Sequence, residues 1–289
     1  VTRRPRPSAA PRASRADAVP AYLREGTTGA GPTRPVLAFA HRGGAFHPEI
    51  EGLENTLAAF RHAADLGYRY LETDVHVTRD GVLLAFHDSV LDRVSDQRGA
   101  ISSLSLAEVR RARVGGREQV PTLAELFDAL PGARFNVDLK SDGAVEALAD
   151  FVADRGAWDR LLVGSFSPRR LGRFRRLTGG RVATSAHPVE VAVWRLCPSA
   201  RLADLLTGRR VAALQVPRER RWGRWRLQVV TRSLVRRAHA AGKHVHVWVV
   251  DDPEEMTALL DLDVDGLMTD RTDVLREVLV AAGRWREPA

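Results

Sequence analysis

Among 289 residues there is one cysteine, Cys197, and among 44 lysines and arginines only Lys140 and Lys243 are lysines. A lone thiol excludes an internal disulfide and most cysteine-rich metal sites, and it fits a reducing, cytoplasmic setting. No apolar run approaches the roughly 18 residues a membrane span needs. The start, VTRRPRPSAAPRASRADAVP, has arginines but no apolar segment after them, so it does not read as a secretory signal. Charge is also scarce where a nucleic-acid binder would need it. The net charge is +8, but seven arginines against Asp17 and Glu25 place +5 in residues 1–34, leaving about +3 for the rest. No specific nucleic-acid partner is expected on that basis. Residues 1–34, rich in Pro, Ala and Arg, read as a disordered basic tail, and residues 35–285 as one domain.

Short apolar runs recur through that domain, each followed by a helical pattern. They are VLAFAHRG (36–43), YLETDVHVT (70–78), RFNVDLK (134–140), LLVGSFS (161–167), RVATSA (181–186), AALQVP (212–217), HVHVWVVDD (244–252) and DGLMTD (265–270). Alternating strand and helix is the mark of a parallel sheet covered on both faces. VLLAFHD (82–88) breaks the rhythm, since only RDG separates it from the second strand. So short a link forces an antiparallel hairpin, because a parallel crossover needs a dozen or more residues. Setting that excursion aside leaves eight βα units in about 250 residues, which predicts a TIM (β/α)8 barrel. An open doubly wound sheet is the alternative, but it needs a switch point that the sequence does not reveal.

In such a barrel the chemistry lies at the C-terminal ends of the strands. The first strand ends in His41-Arg42-Gly43-Gly44. Alternation puts Glu72 and Asp74 on one face of the second strand, and Asn136, Asp138 and Lys140 on one face of the third. The hairpin returns His87 beside Asp74, at the same mouth as His41. Converging carboxylates raise each other's pKa or share a cation, and an all-oxygen set suits Mg²⁺ or Ca²⁺. With an Arg, a Lys and exposed glycine N–H groups, the mouth could receive a phosphate flanked by two candidate proton-transfer histidines. His47 and His62 read as ordinary surface residues, and His244 and His246 as a polar layer in the barrel.

HRGG, GLENT, LETDVHVTRDGVLLAFHD, NVDLK and DGLMTD, in that order, resemble the glycerophosphodiester phosphodiesterase family over roughly residues 36–280. The resemblance implies a metal-dependent barrel enzyme that hydrolyses glycerophosphodiesters to glycerol 3-phosphate and an alcohol. It gives His41 and His87 as catalytic residues, Arg42 as the phosphate-binding arginine, and Glu72 and Asp74 as metal ligands. Asp138 takes the third ligand's place, with Lys140 following it. Phe166 and Trp248 match apolar positions of the substrate pocket, and Glu54-Asn55-Thr56 a supporting motif. Two features depart from the family's pattern: Asp138 stands where a Glu is usual, and the segment 45–53 is longer.

Two further readings accompany this one. The Arg/Trp stretch 218–226 follows the sixth strand, so it lies at the mouth, where arginine with tryptophan suits an anionic interface. That favours peripheral membrane contact and a lysophospholipase D-type activity on lysolipids; the plainer reading of the stretch is a solvated basic loop and helix face. The reading from a different class is a non-catalytic barrel that binds lipid head groups.

Overall fold

The computed structural model describes residues 19–27, 34–223 and 225–287, so the tail positions 1–18 and 28–33 lie outside the described residues. The strands are β1 (Leu37–His41), β2 (Tyr70–Val77), β3 (Leu83–Ala85), β4 (Arg134–Leu139), β5 (Leu161–Gly164) and β6 (Ala183–Thr184). They continue with β7 (Ala213–Val216), β8 (Glu219–Trp222), β9 (Trp225–Gln228), β10 (His244–Val247) and β11 (Gly266–Thr269). Eight of them run parallel in the order β6-β5-β4-β2-β1-β11-β10-β7. The two ends of this sheet meet through a parallel bridge between Ser185 and Ala213. There the Ala186 N–H donates to the Ala213 carbonyl at 2.9 Å and the Ala212 N–H to the Thr184 carbonyl at 2.8 Å. The architecture is therefore the (β/α)8 barrel and not the open sheet.

Helix starts follow local chemistry. Thr56, Thr122 and Ser167 each accept a first-turn N–H with the side-chain oxygen, starting helices Leu57–Asp65, Leu123–Ala129 and Pro168–Leu177. The helix faces pack on the outward residues of the strands, such as Leu71, Val75, Phe135, Val137 and Leu139, in one large apolar layer. Alternation then sends the intervening residues into the barrel.

The barrel interior changes character from bottom to top. At the bottom, Leu37, Phe39, Tyr70 and Leu162 belong to a separate apolar cluster. Higher up, the Gln215 side-chain amide reaches Asn136 Oδ1 at 3.1 Å and His246 Nδ1 at 3.3 Å, the polar layer that the sequence suggested. At the top, strand register sets His41 beside Glu72, and Asp74 beside Asp138. The hairpin keeps the anticipated register, with Val75 opposite Ala85 and the Phe86 N–H donating to the Asp74 carbonyl at 2.9 Å.

Two segments differ from expectation. Ala21–Thr27, counted with the tail in the sequence, is a 3-10 helix whose Tyr22 and Leu23 are fully buried under the barrel. The Tyr70 hydroxyl and the Arg134 guanidinium both donate to the Tyr22 carbonyl, at 2.9 and 3.2 Å. Two large apolar side chains amid polar sequence found the open lower end of the barrel, a long-range surface that local composition does not announce. The basic stretch is also not a loop: Glu219–Trp222 and Trp225–Gln228 pair antiparallel as β8 and β9, apart from the barrel sheet. Among the described residues no helix is long and apolar enough to cross a membrane.

Candidate active site

The turn after β1 fixes the first part of the mouth. Gly43 and Gly44 have φ of +90° and +85°, and a Cβ on either would come within 2.7 Å of Ala59 or 2.5 Å of Thr272. Only glycine meets both demands. Their N–H groups are not available to a phosphate, because they donate within the turn to the carbonyls of Ala40 and His41 at 3.3 and 2.8 Å. The exposed glycine donors anticipated from sequence are thus spent on closing the turn. That closure throws the Arg42 side chain toward Asp74, with Nε 3.3 Å from Oδ2.

His41, Arg42, Glu72, Asp74, His87, Asp138, Lys140, Phe166 and Trp248 line one cavity of about 470 Å³ at the barrel mouth. Glu54 stands behind it and takes Arg42 Nη1 at 3.1 Å. The ten side chains singled out in the sequence therefore meet in one place. Phe166 and Trp248 pack edge to face, 5.8 Å between ring centres.

Both histidines are held by carboxylates. His41 Nδ1 lies 2.9 Å from Asp270 Oδ1, and His87 Nδ1 lies 2.5 Å from Asp88 Oδ1. Since a carboxylate accepts, each Nδ1 carries the proton and each Nε2 is left for other work. Burial opposes charge on His41, but Glu72 (Nε2 to Oε2, 3.8 Å) and the Asp270 contact outweigh it and raise its pKa. Asp88 is in turn gripped by Arg93, Nε to Oδ2 at 2.6 Å. Arg93 also spans both oxygens of Glu54 at 2.7 and 2.8 Å. A continuous chain of contacts thus runs from His87 through Asp88, Arg93 and Glu54 to Arg42.

The sequence reading did not assign Asp88, Arg93 or Asp270. The signal was present, since Asp88 and Asp270 end the quoted stretches LETDVHVTRDGVLLAFHD and DGLMTD. Arg93 lies beyond any local pattern. His47, read as a surface residue, is buried at 7% exposure and packs on His62 with ring centres 4.3 Å apart, away from the cavity. Asn55 and Thr56 earn their place structurally: Asn55 accepts from Thr73 at 2.7 Å and reaches Asp74 at 3.4 Å, while Thr56 caps the helix.

The carboxylates at the floor are unequally satisfied. Lys140 Nζ sits 3.0 Å from Asp74 Oδ1 and 2.8 Å from Asp138 Oδ2, and these neighbours raise its pKa against the burial that lowers it. Burial disfavours the Asp74 anion, yet Lys140 and Arg42 prevail and hold its pKa low. Burial prevails at Asp138 and raises its pKa. Burial and the neighbouring Asp74 push Glu72 up to about 8.

These residues fit a hard divalent ion. All are oxygen donors, Asp138 Oδ1 is buried without a hydrogen-bond partner, and Glu72 lacks a full counter-charge. Among the described residues no three His, Cys, Asp or Glu groups already form a metal cage. The Lys140 ammonium and the Arg42 guanidinium stand among the carboxylates instead.

Such a mouth, cationic and acidic side chains interleaved at the strand ends and two carboxylate-held histidines, defines a barrel enzyme that handles an anionic substrate. The chain belongs to the Glycerophosphoryl diester phosphodiesterase family, whose model matches residues 41–274. It is 41% identical over 251 residues to the probable glycerophosphodiester phosphodiesterase 2 of Mycobacterium tuberculosis, covering 86% of this chain and 92% of the relative. It is 35% identical over 119 residues to the human lysophospholipase D GDPD1, 37% of either chain. Among solved structures, a putative glycerophosphoryl diester phosphodiesterase from Silicibacter pomeroyi superposes with a TM-score of 0.74 at 24% identity, over 91% of this chain and 98% of that one. An Oleispira antarctica phosphodiesterase in complex with the product sn-glycerol-3-phosphate gives 0.67 at 24% identity, over 84% and 96%.

Proposed function

We propose that the chain hydrolyses glycerophosphodiesters to glycerol 3-phosphate and an alcohol, with His41 and His87 as the proton-transfer pair. The observation that carries this is the matched arrangement of the two imidazoles. Each is oriented by a carboxylate at Nδ1, and both line the cavity that Arg42 and Lys140 also line. One Nε2 takes the proton of the attacking oxygen, from water or a neighbouring hydroxyl of the glycerol. The other gives a proton to the departing alkoxide as the P–O bond breaks. Arg42 binds the non-bridging oxygens and offsets the charge that builds there. Asp270 and Asp88 keep the rings in the tautomer that exposes Nε2. Glu72, Asp74 and Asp138 would hold a divalent ion, Mg²⁺ or Ca²⁺, which when bound supplies further neutralisation of the phosphate.

The test is turnover of glycerophosphocholine by wild type, His41→Ala and His87→Ala, with each ion and after chelation. Each substitution lowers kcat by at least about 10²-fold, the usual worth of a placed acid or base. Near-wild-type turnover by either variant would refute the assignment, and full activity after exhaustive chelation would remove the metal. Binding of glycerophosphocholine without turnover by the wild type would instead mark a non-catalytic head-group binder.

A lysophospholipase D-type activity is the second reading, favoured by the apolar residues Val191, Ala192, Leu196 and Leu227 that line the same cavity as His41 and His87. Peripheral contact with anionic lipid through 218–226 belongs with it. This stretch lies largely in the β8–β9 hairpin, and the hairpin's exposed Arg220 lines the mouth. Flotation with phosphatidylcholine vesicles, with and without phosphatidylglycerol, tests the contact: binding is expected only with the anionic lipid. A cytoplasmic setting is consistent with the single thiol.

A further inference from the structure

The two histidines are anchored unequally. Asp270, which holds His41, is itself fixed at the end of β11: its own N–H and the Thr269 hydroxyl both donate to Asp251 Oδ1, each at 2.8 Å. Asp88, which holds His87, sits in the loop that follows the β2–β3 hairpin. Among the described residues its side chain has two partners, His87 Nδ1 and Arg93 Nε, at 2.5 and 2.6 Å. Glu54 is placed in the same way, and its partners are Arg42 and Arg93. Without Arg93, the carboxylate behind His87 and the carboxylate behind Arg42 would have no common anchor.

The turn that carries Arg93 is firmly seated. Leu91 is buried with Leu84, Phe86 and Ile101 in an apolar cluster of its own, and its N–H donates to the Gly99 carbonyl at 3.0 Å. From there the guanidinium uses three N–H groups on two carboxylates, Nε on Asp88 and both Nη atoms on the two oxygens of Glu54. A planar fork fixes two acceptors relative to each other, which a point charge cannot do. The Arg93 side chain is 47% exposed, and ion pairs that water reaches contribute little to stability. The arrangement therefore serves geometry more than folding.

We propose that Arg93 is a positioning residue that couples phosphate binding to proton transfer, setting Arg42 through Glu54 and His87 through Asp88. The proposal rests on the hydrolase reading above and adds to it a residue outside the cavity lining. A phosphodiester seated on Arg42 then meets an imidazole already aligned with the reacting oxygen. Misplacing such groups by about 1 Å is enough to cost about 10²-fold in rate.

The experiment measures kcat and KM for glycerophosphocholine in wild type, Arg93→Met and Arg93→Lys. Arg93 is an exposed turn residue, so both variants fold. In Arg93→Met kcat falls about 10²-fold while KM stays within about threefold, since Arg42 keeps its contact with Asp74 and still meets the phosphate. Lysine supplies the charge without the fork and recovers about tenfold of that loss. In a Glu54→Gln, Asp88→Asn background nothing remains for the arginine to hold, and Arg93→Met there costs about threefold at most. Near-wild-type kcat in Arg93→Met overturns the proposal, and so does a full 10²-fold loss in the background that lacks both carboxylates. Nitrogen NMR of the His87 ring reads the same coupling without turnover. Wild type shows the Nδ1–H tautomer, and Arg93→Met, where Asp88 is released from the ring, shows a mixture of the two tautomers. If that change appears but wild type cleaves no glycerophosphodiester, the positioning stands and only the hydrolase reading fails. An unchanged His87 spectrum overturns the positioning whatever the turnover.

Discussion

Lys140→Met removes an ammonium that two carboxylates share. The contacts are 3.0 and 2.8 Å long, and the Lys140, Asp74 and Asp138 side chains are only 21%, 3% and 15% exposed. Deleting one partner of a buried ion pair costs about 3–5 kcal/mol, because the remaining charge stays desolvated. Two features argue for the lower end. Arg42 still stands 3.3 Å from Asp74, and Asp138, whose pKa is already raised by burial, can take up a proton. The expected loss is therefore about 3 kcal/mol. A domain of this size shifts its Tm by about 2–4 °C per kcal/mol, so calorimetry in chelator should place the variant about 6–12 °C below wild type. Adding saturating Mg²⁺ or Ca²⁺ should narrow that gap, because an ion among the same carboxylates replaces the missing charge. Turnover with the ion present should still fall about 10²-fold, since one donor toward the developing charge is gone. A variant whose Tm in chelator lies within about 2 °C of wild type would refute the reasoning, for it would mean that the carboxylates do not depend on the lysine.

Three other outcomes follow from the same structure. Glu72 is pushed up to about 8 and so is mostly protonated near neutrality; divalent-ion binding at pH 7 should release about one proton. Calorimetry in buffers of differing ionisation enthalpy counts it, and a count of zero removes Glu72 from the ligand set. His246 is fully buried, and burial lowers its pKa from 6.5 to about 3, so the folded state binds fewer protons than the unfolded one in that window. Its contribution to stability is full above pH 6.5 and is lost as the pH falls toward 3; the Tm of His246→Gln should decline less steeply over that range than that of wild type. Finally, removing residues 1–27 exposes the barrel's lower end and discards the burial of Tyr22 and Leu23, about 3–5 kcal/mol as an upper bound. A Tm about 10 °C lower is expected by calorimetry, and a Tm within about 2 °C of wild type would show that the two side chains do not support the barrel.

Much of the floor was legible because strand alternation is strictly local. Once residues 70–78 are a strand, Glu72 and Asp74 must share a face, and a three-residue link must bring His87 back. Contacts that depend on other elements were not legible. Nothing near Tyr22 tells that it will close a barrel from below. Nothing near Arg93 tells that it will join Asp88 to Glu54. The hairpin Glu219–Gln228 had a signal, alternating Arg and Trp around Gly223, but a high arginine content made a solvated loop and helix face the simpler reading. The glycines misled in a different way. HRGG suggested free N–H donors, yet tight turns use their own donors first, and the positive φ values serve packing against Ala59 and Thr272.

The packed barrel interior, closed again from below, makes the cavity a cul-de-sac. With Tyr22, Leu23 and Arg134 across the lower end, whatever enters at the mouth must leave by the same door. For the proposed reaction this sets an order of departure. The alcohol, which carries no phosphate for the charged floor to hold, goes first. The phosphate-bearing product, held by Arg42 in the proposed reaction, goes last. Steady-state kinetics should then show that product competing with substrate for the free enzyme, with the alcohol acting as the non-competitive partner.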